Sequence, residues 1–226
     1  MNNIIIHVPH SSMYIPEEYK RTALITQEEL ELETGFMCDT GVLELIPPAL
    51  KDNAIIFPYS RLYCDVERFR DESEAMNRYG MGYIYTHDSM GREMFRPDKE
   101  HAGQIDKIYE EHHQLLDSRA ATIVSEYGSC IIIDLHSYSD EMVRRIFGYT
   151  GCPDVCIGIE PDYYSKDLTD GLKKICRGLG LSCMIDYPYS GSMIPNRFYG
   201  KKDTGIVSVM LEINKRVLDH RHHSNG

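Results

Sequence analysis

The 226-residue chain contains no HExxH, no G-x-S-x-G, no Walker motif and no GxGxxG. Those absences remove the short motifs that would point directly to a zincin, a serine hydrolase, a phosphate-loop NTPase or a dinucleotide enzyme. Long hydrophobic runs are missing too. No stretch approaches the ~20 apolar residues of a membrane span. The opening MNNIIIHVPH has too short an apolar run and no basic flank for a secretory signal. Positive charge is scarce, with 24 Lys and Arg against 35 Asp and Glu and a net charge of −11. An acidic surface argues against nucleic acid or an anionic membrane as the partner. It leaves room for a small anionic substrate, because a few buried arginines can reverse the local field. Cysteine pairing is absent as a pattern. The seven cysteines (38, 64, 130, 152, 156, 176 and 183) are odd in number and scattered. Cys152 and Cys156 have no second pair nearby, which argues against a zinc knuckle. Free thiols and a cytoplasmic location are expected. No internal repeat or low-complexity linker divides the chain.

What is present suits one large domain with a real core, since 42% of residues are hydrophobic and 26% charged. Six apolar runs recur between turn residues: IIIHV (4–8), AIIFP (54–58), CIIIDLH (130–136), VCIGIE (155–160), LSCMIDY (181–187) and IVSVMLEI (206–213). They are near-continuous rather than alternating, as strands buried on both faces are. Helical patterns lie between them. Thr26 and Glu29 read as a capping box. Asp39 is placed to cap a further helix, stopped by Pro47-Pro48. A long amphipathic stretch covers 102–127, with Ile105, Tyr109, His112, Leu116 and Ile123 on one stripe. Ser165 opens another helix, with Leu168, Leu172, Ile175 and Leu179 on one face. Strands alternating with helices predict an α/β fold, a three-layer αβα sandwich around a mostly parallel mixed sheet. Such folds place their sites at the carboxyl ends of strands.

The expected organisation is a single α/β hydrolytic domain over 1–219, with a polar insertion at about 59–101 and a lid-like loop at 188–205. The loop carries Tyr189 and Arg197 as candidate substrate contacts. The His-rich tail 220–226 is set aside.

The candidate chemistry starts from two histidines at strand ends, His10 and His136. Alone, each is more often structural. Together at the ends of separate strands they favour a shared metal, and a catalytic zinc wants three protein ligands with one position open. Asp39 is the choice for the third, with its role as a helix cap an alternative. Asp134 shares a face with His136, because i and i+2 point the same way on a strand. It either orients that histidine or is itself a ligand. Glu212 ends the last strand and is either a general base or an ion-pair partner of Lys215 or Arg216. Arg61 and Arg68 flank Asp65, and planar guanidinium suits capture of a carboxylate. His112 and His113 fall on the long helix, His112 on its apolar stripe and His113 beside it.

Taken together these pieces resemble the N-formylglutamate amidohydrolase family. The resemblance runs in order through VPHSSMYIP (8–16), CDTGVLEL (38–45), SRLYCDVERF (60–69), YEEHHQLL (109–116), DLHSYS (134–139), PYSGSMI (188–194) and LEINKR (211–216). The family is similar in fold to zinc-dependent carboxypeptidases. The resemblance implies one zinc ion, with His10, His136 and Asp39 as ligands and Glu212 as base. It implies Arg61 and Arg68 as binders of substrate carboxylates and His113, the family's helix histidine, as a catalytic residue beside Glu212. Asp134 and Asp65 are then supporting residues. The implied reaction is hydrolysis of the amide of N-formylglutamate or a related small anionic N-acyl amino acid. A carboxypeptidase acting on small peptides, or a binding protein on the same scaffold, are the alternatives. Three positions depart from the family pattern. Glu67 precedes Arg68 where Asn is usual, Glu111-His112-His113 stands for Pro-Tyr-His, and Asp186 stands for Asn before Pro-Tyr. The first and third add negative charge near an acidic substrate.

Overall fold

Each of the six apolar runs forms a strand in the computed structural model, which describes residues 2–223. They are β1 (Ile4–Val8), β2 (Ala54–Ile56), β3 (Cys130–Tyr138), β4 (Val155–Gly158), β5 (Cys183–Ile185) and β6 (Ile206–Asn214). The helices are α1 (Glu17–Lys20), α2 (Gln27–Met37), α3 (Lys99–Tyr127), α4 (Asp140–Phe147), α5 (Lys166–Gly178) and α6 (Lys215–His223). Residues 224–226, the end of the His-rich tail, lie outside the described residues. Among the described residues no helix is long and apolar enough to cross a membrane.

The chain forms two compact units. One comprises Met1–Val8, Thr40–Ile55 and Leu115–Gly226, and the other Pro9–Asp39 and Ile56–Gln114. The first unit holds the sheet, in the order β2-β1-β3-β6-β4-β5. β1, β3 and β6 run parallel to one another, and so do β4 and β5; β4 is antiparallel to β6. This is the mostly parallel mixed sheet expected from the sequence. Helices cover both of its faces. Ile5, Cys130, Ile132 and Ile206 pack against Leu116, Ala120 and Ile123 of α3. On the opposite face Ile133, Val209 and Leu211 meet Leu168, Leu172 and Cys176 of α5, while Ile6, Val8 and Leu135 meet Val42 and Ile46. A fully buried Ile, Leu or Val among them contributes about 1.5–3 kcal/mol by leaving water.

The face covered by α3 changes character along the strands. In β3, Cys130 and Ile132 give way to Asp134 and His136 two and four residues on. In β1, Ile5 gives way to His7, which pairs in register with Asp134. In β6, Ile206 gives way to Ser208, Met210 and Glu212, with Glu212 opposite His136. Strand period two therefore delivers apolar side chains at one end of this face and ionisable ones at the carboxyl end.

The helix expectations held in part. The capping box is present: Thr26 and Glu29 exchange side-chain and backbone hydrogen bonds at the start of α2. Ile105, Tyr109, His112, Leu116 and Ile123 of α3 are all buried. Ser165 caps α5. Two expectations are corrected. Asp39 caps no helix; it follows the end of α2, and the next segment makes only a 3-10 turn at Leu43–Leu45 with Val42 before it. α5 keeps half of the expected face: Leu168 and Leu172 pack on the core with buried Thr169 and Cys176, while Ile175 and Leu179 are 59% and 62% exposed. Small side chains at 169 and 176 let the helix sit close to Val155 and Ile157. All seven cysteines are free.

Candidate functional site

The first unit gathers its ionisable groups around Asp134. This carboxylate is buried, with Oδ1 2.8 Å from Nδ1 of His7 and 3.2 Å from Nε2 of His136. Oδ2 accepts the backbone N–H of Met193 at 3.0 Å. A carboxylate only accepts, so Nδ1 of His7 carries its proton. Burial alone would raise the Asp134 pKa, but His136 and His7 outweigh it and hold the group well below the usual carboxylate range. His136 and Glu212 are buried partners across β3 and β6. The loop after β5 lies along this part of the sheet. The thiol of Cys156 donates to the Tyr189 carbonyl at 3.1 Å, and the Ser208 hydroxyl donates to the Met193 carbonyl at 2.7 Å.

The second unit gathers its groups around Asp65. Oδ1 lies 2.9 Å from Nε2 of His10 and accepts the Glu67 N–H at 3.1 Å. Oδ2 accepts Nε and Nη2 of Arg61 at 3.1 and 2.9 Å, and the Tyr85 hydroxyl at 3.3 Å. Arg68 Nε stands 3.7 Å from the same oxygen. Burial would push the Asp65 carboxyl up; Arg68, Arg61 and His10 outweigh it and hold it well below the usual range. Asp65 therefore fixes the His10 proton on Nε2. Burial, aided by the Arg61 guanidinium, lowers the pKa of His10 and keeps the ring neutral. Its Nδ1 thus presents a lone pair, 3.9 Å from Asp39 Oδ2 and 3.6 Å from Glu67 Oε2. A lone pair facing two carboxylates is an environment for a cation. The backbone supports this arrangement, since the Asp39 N–H donates to the His10 carbonyl at 2.9 Å.

The remaining candidates separate clearly. Nε2 of His113 donates to the Val66 carbonyl at 2.8 Å, and its ring lies 4.3 Å from that of Tyr109. His112 packs edge-on against Phe57. The Tyr189 ring packs on Tyr138 and Phe147. The Arg197 side chain is exposed, and its backbone N–H is held by Asp117. Arg216 pairs with Asp140 and Asp154. Asp186 has φ 50° and accepts the Ile159 N–H at 2.9 Å, which makes it a turn residue. The sequence reading missed His7, whose signal was a histidine on the same strand face as Ile5. It noted Glu67 only as a departure and passed over Tyr85, a buried tyrosine in the polar segment.

A mostly parallel α/β sheet, with buried histidine and carboxylate groups of a kind that could hold a metal ion, defines the class of the protein. The chain belongs to the N-formylglutamate amidohydrolase family, whose model matches residues 2–218. The family is one of amidohydrolases, and the resemblance read from the motifs is thereby confirmed. A crystal structure of N-formylglutamate amidohydrolase from Ralstonia eutropha JMP134 matches with a TM-score of 0.79 at 18% identity, covering 95% of this chain and 82% of that one. The crystal structure of a gene product from Agrobacterium tumefaciens matches with a TM-score of 0.68 at 16% identity, covering 96% and 82%. At these identities the likeness shows the fold. No curated protein matches in sequence.

Proposed function

We propose that the chain is a zinc-dependent amidohydrolase acting on the amide of N-formylglutamate or a related N-acyl amino acid. The proposed ligands are His10, Asp39 and His136, imidazole and carboxylate donors of a kind that could hold a metal ion. One observation carries this reading. His10 has its Nε2 proton directed to Asp65 and its Nδ1 lone pair directed toward carboxylates, the arrangement in which a carboxylate orients a ligand histidine. Asp39 is preferred to Asp134 as the third ligand. Asp39 Oδ2 lies 3.9 Å from Nδ1 of His10, the nitrogen that would meet the metal. The donor set of imidazole and carboxylate suits zinc.

Zinc bound there supplies an acidified water and a polarised carbonyl. The chain's own residues do the rest. Glu212, buried and in register with His136, takes a proton at its carboxylate and delivers it to the leaving nitrogen. Asp134 keeps His136 oriented. Arg68 holds the substrate's α-carboxylate, since its guanidinium makes only the 3.7 Å approach to Asp65. Arg61, bonded twice to Asp65, keeps that carboxylate ionised. His113 has a positioning part, fixing the Val66 carbonyl between Asp65 and Glu67. Tyr189 and Arg197 receive no role, because one packs on aromatic rings and the other is exposed. Free cysteines suit a reducing compartment, and we place the protein in the cytoplasm.

The test is metal analysis of protein expressed with zinc, followed by assay of formate release from N-formyl amino acids. About one zinc per chain and metal-dependent release are expected. Less than about 0.1 zinc per chain overturns the metal assignment.

A further inference from the structure

His7 is a fully buried histidine that the reaction described above does not use. It stands in a strand whose other side chains, Ile4, Ile5, Ile6 and Val8, are all aliphatic. Replacing a buried ionisable pair by packed apolar groups is often neutral or stabilising, so packing alone gives no reason for a histidine here. The strand register gives one. His7 and Asp134 are direct partners in the parallel pair of β1 and β3, so their side chains lie side by side. Nδ1–H of His7 donates to Asp134 Oδ1 at 2.8 Å, and the same oxygen lies 3.2 Å from Nε2 of His136. The Met193 N–H donates to the other oxygen at 3.0 Å. The Ser208 hydroxyl fixes that loop residue by donating to the Met193 carbonyl at 2.7 Å. The last torsion of an aspartate side chain is soft, because it turns about an sp3–sp2 bond. A donor on each oxygen removes that freedom. Oδ1 is then held at the place where it meets His136.

We propose that His7 is a positioning residue: acting through Asp134 Oδ1, it sets the orientation of the His136 imidazole. The inference rests on the reading of His136 as a metal ligand and goes beyond it by giving His7 a part. A ligand ring that is held ready by its supporting groups binds an ion more tightly than one that must be reoriented. The role needs a hydrogen-bond donor at the position of Nδ1 and makes no use of the rest of the ring. Asn carries its side-chain N–H as many bonds from the backbone as Nδ1 and can donate to the same oxygen. Leu has a similar reach and no donor.

The experiment compares the full chain with its His7→Asn and His7→Leu variants by two readouts. The first is the magnetic resonance spectrum of the metal-free protein, isotope-labelled at its histidine ring nitrogens, with the His136 signals assigned by their loss in His136→Gln. The second is zinc affinity by competition with a chromophoric chelator. His7→Leu should move the His136 ring signals and weaken zinc about 10–100-fold, whereas His7→Asn should keep the signals in place and the affinity within about threefold. Should His7→Leu fail to fold, His7→Gln, whose amide lies a bond farther out, replaces it with the same expectation. His136 signals that do not respond to His7→Leu overturn the proposal. So does an equal loss of zinc in the Asn and Leu variants, which would make His7 itself a ligand. The two readings fail separately. Ring signals that respond to His7→Leu in a chain that binds no zinc keep the positioning and remove the metal. Zinc binding with no response of His136 keeps the metal and removes the positioning.

Discussion

Nε2 of His10 lies 2.9 Å from Oδ1 of Asp65, and both groups are fully enclosed. The bond does two things at once. It decides which nitrogen of His10 carries the proton, and it completes an ion-pair group containing Arg61 and Tyr85. The two roles can be separated by substitution.

Replacing Asp65 with Asn keeps the shape but offers an amide that can donate to Nε2, so the imidazole is free to adopt the other tautomer. We expect zinc to bind about 10–100-fold more weakly, measured by competition with a chromophoric chelator. Asp65→Ala goes further and leaves the Arg61 guanidinium buried without its partner. A loss of about 3–5 kcal/mol is expected, read from urea unfolding of the metal-free protein. Wild-type zinc affinity in Asp65→Asn would remove Asp65 from the account of the site.

Glu212→Gln separates base from ligand. The amide keeps the volume at the end of β6 but cannot take a proton. Turnover should fall by about 10²–10⁴-fold. Zinc content should stay at the wild-type level, since Glu212 is not among the proposed ligands. Unchanged turnover removes the base assignment, and lost zinc makes Glu212 a ligand.

The strands were legible because burial on two faces leaves a plain mark: IIIHV and CIIIDLH can be little else. That Asp134 and His136 would share a face followed from strand period alone. Other features depended on information that the linear pattern does not hold. α4 was missed because DEMVRRIF is short and mostly charged, and its Ser139 cap follows directly on a strand. Half of the α5 face was misread because Ile175 and Leu179 outweigh Cys176 and Thr169 on any hydropathy scale. The tertiary packing chose the small pair. His7 was hidden inside an apolar run, and its meaning came only from the β1–β3 register that sets it against Asp134. The contact between Glu67 and His10 joins distant parts of the chain, and no local pattern reports it.

The corrected face of α5 can be checked by stability. Ile175 is 59% exposed, so Ile175→Ala should change stability by less than about 0.5 kcal/mol. Ile132 is fully buried between α3 and the neighbouring strands, and Ile132→Ala should cost about 2–5 kcal/mol. Urea titrations of the two variants measure both. A large loss at Ile175 would restore the face expected from the sequence.

The α2 capping box gives stability a defined dependence on acid. Glu29 accepts the Thr26 backbone N–H at 2.9 Å, its hydroxyl at 3.0 Å, and Nη1 of Arg92 at 2.7 Å. The Thr26 backbone bond first, and then Arg92, bring its pKa from 4.5 down to about 2. The folded state therefore binds this proton less readily than the unfolded chain. Its contribution is fully present above pH 4.5 and is lost as pH falls from there toward about 2. Glu29→Gln removes the titration but keeps a hydrogen-bonding group. We expect the variant to be less stable than wild type at pH 7, with the difference shrinking steadily below pH 4.5. Thermal melts across that range measure it. A gap that stays constant down to pH 3 would mean that the Glu29 carboxylate is not held by these bonds in solution.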